Sequence, residues 1–279
     1  MSKSSEKVIE VIEEYLAEGG LIWHKPYMAA AQTNAASRCE YKGINAFVTA
    51  LVAGMRGYAS PYWATFRQIR ELGGTLKDAK GQGAPILFYK DLPDSKDGKK
   101  QFVIRHSFVF NFDLVEGVEI ESLETAGDDF EKDSCAEAIC SNYLEWESVR
   151  LGDSAIPCYS PVTDTVKMPV IESFVGQDEY YSTLFHELGH STGHKSRLDR
   201  FEKTATLFES KEDYSKEELI AEITAALLCH TAGVDSEASI KNSAAYIAGW
   251  SKFIRDNSSS FVSAVNQAYK AKSLILNEA

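Results

Sequence analysis

Two histidines four residues apart enclose a glutamate in Leu184-Phe185-His186-Glu187-Leu188-Gly189-His190. Residues four apart on a helix lie on one face, one turn above each other. His186 and His190 can therefore present two imidazoles to a single metal ion, with Zn²⁺ the expected cofactor. Glu187 leans over the same edge, where a carboxylate can act as the general base of a metal-assisted hydrolysis. Tyr180, Tyr181, Leu184, Phe185 and Leu188 recur at helical spacing, so the helix carrying the motif is expected to be buried. A buried pair of imidazoles needs partners, which favours a metal site over two solvated histidines.

A catalytic zinc takes three protein ligands and keeps one open position. The nearest third candidate, His194, is in phase with the pair, but on an unbroken helix it stands about 12 Å along the axis from His186. Glu218 is the better choice. It lies in Glu217-Glu218-Leu219-Ile220-Ala221-Glu222, on a helix otherwise apolar at Leu219, Ile220, Ile223, Ala226 and Leu227. Acidic groups beside a buried stripe are costly unless paired or on a metal. Glu218 is favoured over Glu222 and His194 as third ligand. Glu222, one turn on, is expected to orient a ligating histidine, and Glu217 to be solvated. The arrangement resembles the glutamate zincins, in which a glutamate on a second helix completes the site.

These helices sit in the second half of a chain of 279 residues, long enough for two domains. Hydrophobic content of 44% and charged content of 25% are those of a globular protein. No stretch is apolar enough to span a membrane, and the start is polar and amphipathic, so no secretory signal is expected. Cys39, Cys135, Cys140, Cys158 and Cys229 are odd in number and lack a C-x-x-C, as reduced thiols would be. The expected location is the cytoplasm. Net charge is −12 but uneven: residues 1–90 carry 11 Lys and Arg against 8 Asp and Glu, the remainder 18 against 33. Such asymmetry is expected of a basic binding module joined to an acidic partner domain.

Periodicity predicts helices over 5–18 and 45–55, and a third opening at Ser60-Pro61 and ending at Gly73-Gly74. Strands are expected at 75–77, 85–89 and 101–112, with a polar hairpin tip at 94–100. The acidic stretch 116–133 reads as a linker between a domain at 1–115 and another at 134–279. Beyond it, helices are expected at 134–149, across the motif, and at 214–229, 240–256 and 260–277. An extended piece at Asp164–Met168 is expected to be an edge strand that pairs with substrate. Tyr214, His230 and Tyr246 are open as oxyanion stabilisers. The fold class is α+β, a small N-terminal α+β DNA-binding domain followed by a mostly helical one.

In the first half aromatic and basic residues interleave, as in proteins that stack single-stranded bases on rings and track phosphates with cations. The expected DNA-binding residues are Trp23, Lys25, Arg38, Tyr41, Lys42, Asn45, Trp63, Arg67, Gln68 and Lys77. Tyr41-Lys42-Gly43-Ile44-Asn45 joins a ring, a cation, a turn and a helix N-terminus that can receive a phosphate. Phe47 and Phe66 read as core.

Nearly the whole chain resembles the ArdC-type antirestriction proteins. The first half does so at Trp23-His24-Lys25-Pro26-Tyr27, Tyr41 to Asn45, Trp63-Ala64-Thr65-Phe66-Arg67-Gln68, Leu72-Gly73-Gly74 and Val109-Phe110-Asn111. The second does so at Met168-Pro169, His186 to His194, Arg197-Leu198-Asp199-Arg200, Glu217 to Glu222, and Tyr246-Ile247 with Trp250. The resemblance implies a single-stranded-DNA-binding domain followed by a zincin-like metallopeptidase domain, carried by a plasmid or phage to protect its DNA from host restriction. The implied partners are single-stranded DNA and a protein or peptide substrate, such as a host restriction or DNA-associated protein, and no membrane. The alternative is a non-catalytic protein that shields single-stranded DNA, with zinc only structural.

Overall fold

The computed structural model describes residues 3–17, 31–92, 101–120, 132–174, 176–201, 211–234 and 258–278. The fold is α+β, in two compact units, one centred on Met1–Ala126 and the other built from Gly127–Gly249 and Ser260–Ala279. Trp23, Lys25, the hairpin tip, most of the acidic stretch, Tyr246 and the helix expected at 240–256 lie outside the described residues.

In the first unit, helices α1 (Lys3–Ala17) and α2 (Ile44–Arg56) accompany a four-stranded sheet. Its order is β1 (Thr33–Asn34), β2 (Tyr62–Thr65), β5 (Gln101–Asn111), β4 (Ala84–Leu92). The pair β1–β2 is parallel; β2–β5 and β5–β4 are antiparallel. A two-stranded ladder, β3 (Thr75–Leu76) with β6 (Val115–Glu116), lies beside it.

The helix expected from Ser60-Pro61 does not start there. Tyr62 to Thr65 form a strand between β1 and β5, Trp63 pairing with both Asn34 and Asn111, and Trp63 is completely buried with its indole N–H on Gln32 at 2.6 Å. Sheet pairing and that burial outweigh the Ser-Pro start signal. Helix α3 (Phe66–Glu71) begins only after Thr65, whose hydroxyl accepts the Gln68 N–H while the Gln68 side chain accepts the Thr65 N–H. This reciprocal pair is a capping box.

Alternation gives the sheet two unlike faces. Trp63, Ala84, Val109 and Asn111 share one face and are fully buried. On the other, α3 packs Ile69 against Tyr62, Ala64 and Ala35, with half-buried Phe110 and Phe112 at the margin.

The second unit carries α4 (Lys132–Trp146), α5 (Gln177–Ser191), α6 (Lys211–Ala232) and α7 (Ser258–Ile275). Its sheet has the order β7 (Arg150–Asp153), β9 (Thr165–Met168), β8 (Cys158–Ser160). Strand β9 is parallel to β7 and antiparallel to β8. The extended piece expected as an edge is thus the central strand, because a turn at Asp164 (φ 46°) folds β8 back onto it. The core joins Tyr143 and Cys140 of α4, Leu184, Phe185 and Leu188 of α5, Leu228 of α6 and Val166 of β9. Among the described residues no helix is long and apolar enough to cross a membrane.

Candidate functional site

Helices α5 and α6 cross where Gly189 meets Ala221. A Cβ built on Gly189 would lie 3.1 Å from the Ala221 Cα and 3.3 Å from its carbonyl oxygen. A side chain here would force the Ala221 backbone back by a few tenths of an ångström, and the close crossing brings the carboxylates one turn earlier on α6 to the imidazoles of α5.

His186 Nε2 and His190 Nε2 stand 3.1 Å apart. Glu218 lies 3.7 Å from the first through Oε2 and 3.5 Å from the second through Oε1. One ligand atom from each of the three falls within 4.8 Å of the others. Tetrahedral bonds of ~2.0 Å set ligand atoms ~3.3 Å apart, so the spacing fits a small divalent cation. The donor chemistry fits as well. Burial, aided by the charge of His190, lowers the His186 pKa to about 3, which leaves a neutral imidazole with a lone pair to give.

Each imidazole has a carboxylate behind it. Glu217 Oε1 is 3.4 Å from His190 Nδ1, and Arg200 donates to both Glu217 oxygens at 2.8 and 2.7 Å. Glu217 is 5% exposed, which corrects its reading as a solvated residue. Burial opposes its charge, but hydrogen bonds from Arg200 and His190 hold its carboxyl below the usual range. Burial also works against charge on His190, and the surrounding Glu217, Glu218 and Glu187 outweigh it and raise the pKa. Arg200 reaches further, to the Thr192 hydroxyl at 2.8 Å and the Gly189 carbonyl at 2.9 Å. A Cβ on Gly193 would strike the Phe201 ring at 2.6 Å and the Arg200 guanidinium at 3.1 Å, so this glycine lets the chain fold back over the end of α5. Glu222 stands 3.8 Å from His186 Nδ1, beyond direct hydrogen-bond range. Desolvation, then the charge of Glu218, raises it to about 7.

Glu187 is buried beside these groups. Desolvation raises its pKa, against the charge of His190 and a hydrogen bond from the Tyr159 backbone N–H. Tyr159 is in β8, so the outer strand next to Glu187 is β8 and not the segment Asp164–Met168. The turn between β8 and β9 is tied to the end of α5. Arg197, buried, donates to both Asp164 oxygens, to Tyr159 Oη at 3.2 Å and to the Ser191 carbonyl at 2.8 Å. Tyr159 Oη donates to Asp164 at 2.7 Å.

His194 is not drawn into the cluster. Helix α5 ends at Ser191, and His194 Nδ1 instead lies 2.8 Å from Ser196 Oγ and 3.9 Å from Asp164. His230, on the last turn of α6, has its pKa lowered by burial and by Lys272, and it is outside the cluster.

The expected DNA-binding residues scatter more. Trp63 is corrected: it is enclosed in the core and offers no face for stacking. Asn45 bonds the Leu87 carbonyl and N–H at 2.7 Å each, which fastens α2 to β4. Gln68 caps α3, and Tyr41 is half-buried with its hydroxyl accepting from Asn34 at 3.0 Å. Arg38, Lys42, Arg67 and Lys77 are exposed; Arg67 pairs with Glu71 and Lys77 with Glu116. Phe66, expected in the core, is 53% exposed.

Two family models match in tandem, the N-terminal domain of anti-restriction factor ArdC over residues 2–121 and a zincin-like metallopeptidase over 137–267. A crystal structure of the antirestriction ArdC protein from plasmid R388, in an Mn(II)-bound form, superposes with a TM-score of 0.74 at 30% identity. The match covers 98% of this chain and 97% of that one. The chain belongs to the ArdC antirestriction family. The metal-free R388 structure gives the same TM-score and identity over 100% of this chain. Among curated sequences, two DNA primase TraC proteins of Escherichia coli are 30% identical over 97% of this chain, which spans 27% and 20% of their lengths. An uncharacterized protein y4eC of Sinorhizobium fredii is 29% identical over 95% of this chain and 87% of its own length.

Proposed function

We propose that this ArdC-family chain is a divalent-metal peptidase joined to a single-stranded-DNA-binding unit, acting for a mobile element against restriction. The convergence of His186, His190 and Glu218 within 4.8 Å, with Glu187 buried alongside, carries the reading. Zn²⁺ is the ion the zincin-like domain leads us to expect, and Mn(II) is held by the R388 relative. A cation there supplies Lewis acidity toward a peptide carbonyl and toward water.

The chain's own groups do the rest. His186 and His190 offer Nε2, and Glu217 receives the His190 Nδ1 proton, which fixes the ring for ligation. Glu187 takes a proton from the attacking water and returns it to the departing amine. Its raised pKa brings the carboxyl closer to the operating pH, where both transfers are easier. A peptide extended beside β8 places its carbonyl near Glu187, since the Tyr159 N–H already points there. The first unit binds single strands through exposed rings and guanidinium groups, and the relatives named as DNA primases agree with a nucleic-acid partner. The substrate is a protein that acts on the entering DNA.

The test is a restriction challenge of incoming DNA in cells carrying wild-type protein or Glu187→Gln. Loss of protection in the variant is the expected result. Full protection favours the shielding role, with the metal serving only the fold.

A further inference from the structure

The first unit leaves two phenylalanines in solvent, one at the start of α3 and one on β5. Phe66 is 53% exposed and Phe108 42%. They are close by chain connection: Phe66 opens α3 directly after Thr65, and Thr65 pairs with Val109, the residue after Phe108 in β5. Two exposed rings this close, one opening α3 and one on β5, mark a surface that meets something flat and apolar.

The surroundings narrow what that is. His106 sits edge-on to Phe108 at 5.7 Å, two residues earlier on the same face. A Cβ on Gly83 would lie 3.1 Å from the Phe108 Cβ and 3.2 Å from the Phe110 ring, so the missing side chain leaves room for a continuous shelf of rings. Cations border the shelf. The Arg70 guanidinium lies 5.7 Å from the Phe66 centroid, and Arg38 lies 5.6 Å from that of Tyr62 on the same face. The Arg67 side chain is 87% exposed, and its contact with Glu71 is a solvent-screened surface pair, readily exchanged for a phosphate. Rings alternating with guanidinium groups complement a chain of bases and phosphates.

We infer that Phe66 and Phe108 are the base-stacking platform of this protein, with Arg67 and Arg70 receiving the backbone of a single-stranded nucleic acid. The inference rests on the single-strand reading above and gives that role to exposed phenylalanines in place of the buried Trp63.

The test is fluorescence anisotropy of a labelled oligo-dT with the full-length chain, its folding checked by circular dichroism. Phe66→Ala with Phe108→Ala should bind at least about tenfold more weakly, and Phe66→Tyr with Phe108→Tyr should bind like wild type. Phe66→Leu with Phe108→Leu keeps the apolar bulk while removing the ring faces, and it should also weaken binding. Photo-crosslinks from iodouracil-substituted strands should map to the peptides holding these two residues. Wild-type affinity in the folded alanine or leucine variant overturns the platform and leaves the single-strand reading standing. Absence of oligo-dT binding by wild type overturns both. A change in self-association, with DNA affinity unaltered, assigns the face to a second copy of the chain and also overturns it.

Discussion

Arg200 donates to both carboxylate oxygens of Glu217, at 2.8 and 2.7 Å, and both side chains are buried. A bidentate guanidinium–carboxylate pair fixes the plane of the acid as well as its charge. Glu217 Oε1 then meets His190 Nδ1 at 3.4 Å and directs Nε2 of the ring toward His186 and Glu218. The pair should therefore tune the metal site without touching the ion. Arg200→Ala or Glu217→Gln should lower affinity for Zn²⁺ or Mn²⁺ by roughly 10- to 100-fold, read by calorimetric titration. Unchanged affinity in a folded variant would reduce the pair to a structural contact.

Glu218 is the third ligand of the proposed site, whereas His194 is held by Ser196 beyond the end of α5. Glu218→Gln should abolish stoichiometric metal, and His194→Ala should retain it, as measured by elemental analysis after dialysis. The reverse pattern would exchange their roles.

Asp164 closes the turn between β8 and β9 against buried Arg197. Burial pushes its carboxyl up, and the hydrogen bonds of Arg197 and Tyr159 outweigh that and hold it below its ordinary 3.8. A carboxyl depressed in the fold stabilises above its unfolded pKa, and that stability is lost as pH falls through the lower folded value. Asp164→Asn should cost roughly 3 kcal/mol at neutral pH, because a buried guanidinium loses its counter-charge. It should also flatten the loss of stability below about pH 4, as followed by urea unfolding across pH. An unaltered acid limb would contradict this.

The periodicity of α5 and the placement of Glu218 on a second helix were legible because each is a local pattern on one helix. What was not legible depended on partners distant in sequence. In sequence Glu217 is one more acid of a charged run until Gly193 lets Arg200 fold back to it; the Arg197-Leu198-Asp199-Arg200 cations were the available signal. Ser60-Pro61 is a sound helix start locally, and only pairing with β1 and β5 makes the next residues a strand. That strand turns Trp63 inward, while Phe66, just after it, is left in solvent. Composition alone ranks tryptophan for stacking and phenylalanine for the core, and the exposures of these two rings are the reverse.

Trp63 accordingly carries a stability prediction. Trp63→Phe removes a buried 2.6 Å hydrogen bond to Gln32 and should cost about 1–3 kcal/mol in chemical denaturation. Single-strand affinity of the folded fraction should not change. A selective loss of affinity with stability intact would return Trp63 to the binding surface.

Hydrolysis by the cluster beside Glu187 can be read from cleavage of a complex peptide library, analysed by mass spectrometry. Wild-type and Glu187→Gln proteins would be compared at equal metal occupancy. Wild type should give defined cleavage products, and the variant none above background. Equal cleavage by both proteins, or none by the fully metal-loaded wild type, would rule out hydrolysis at this cluster.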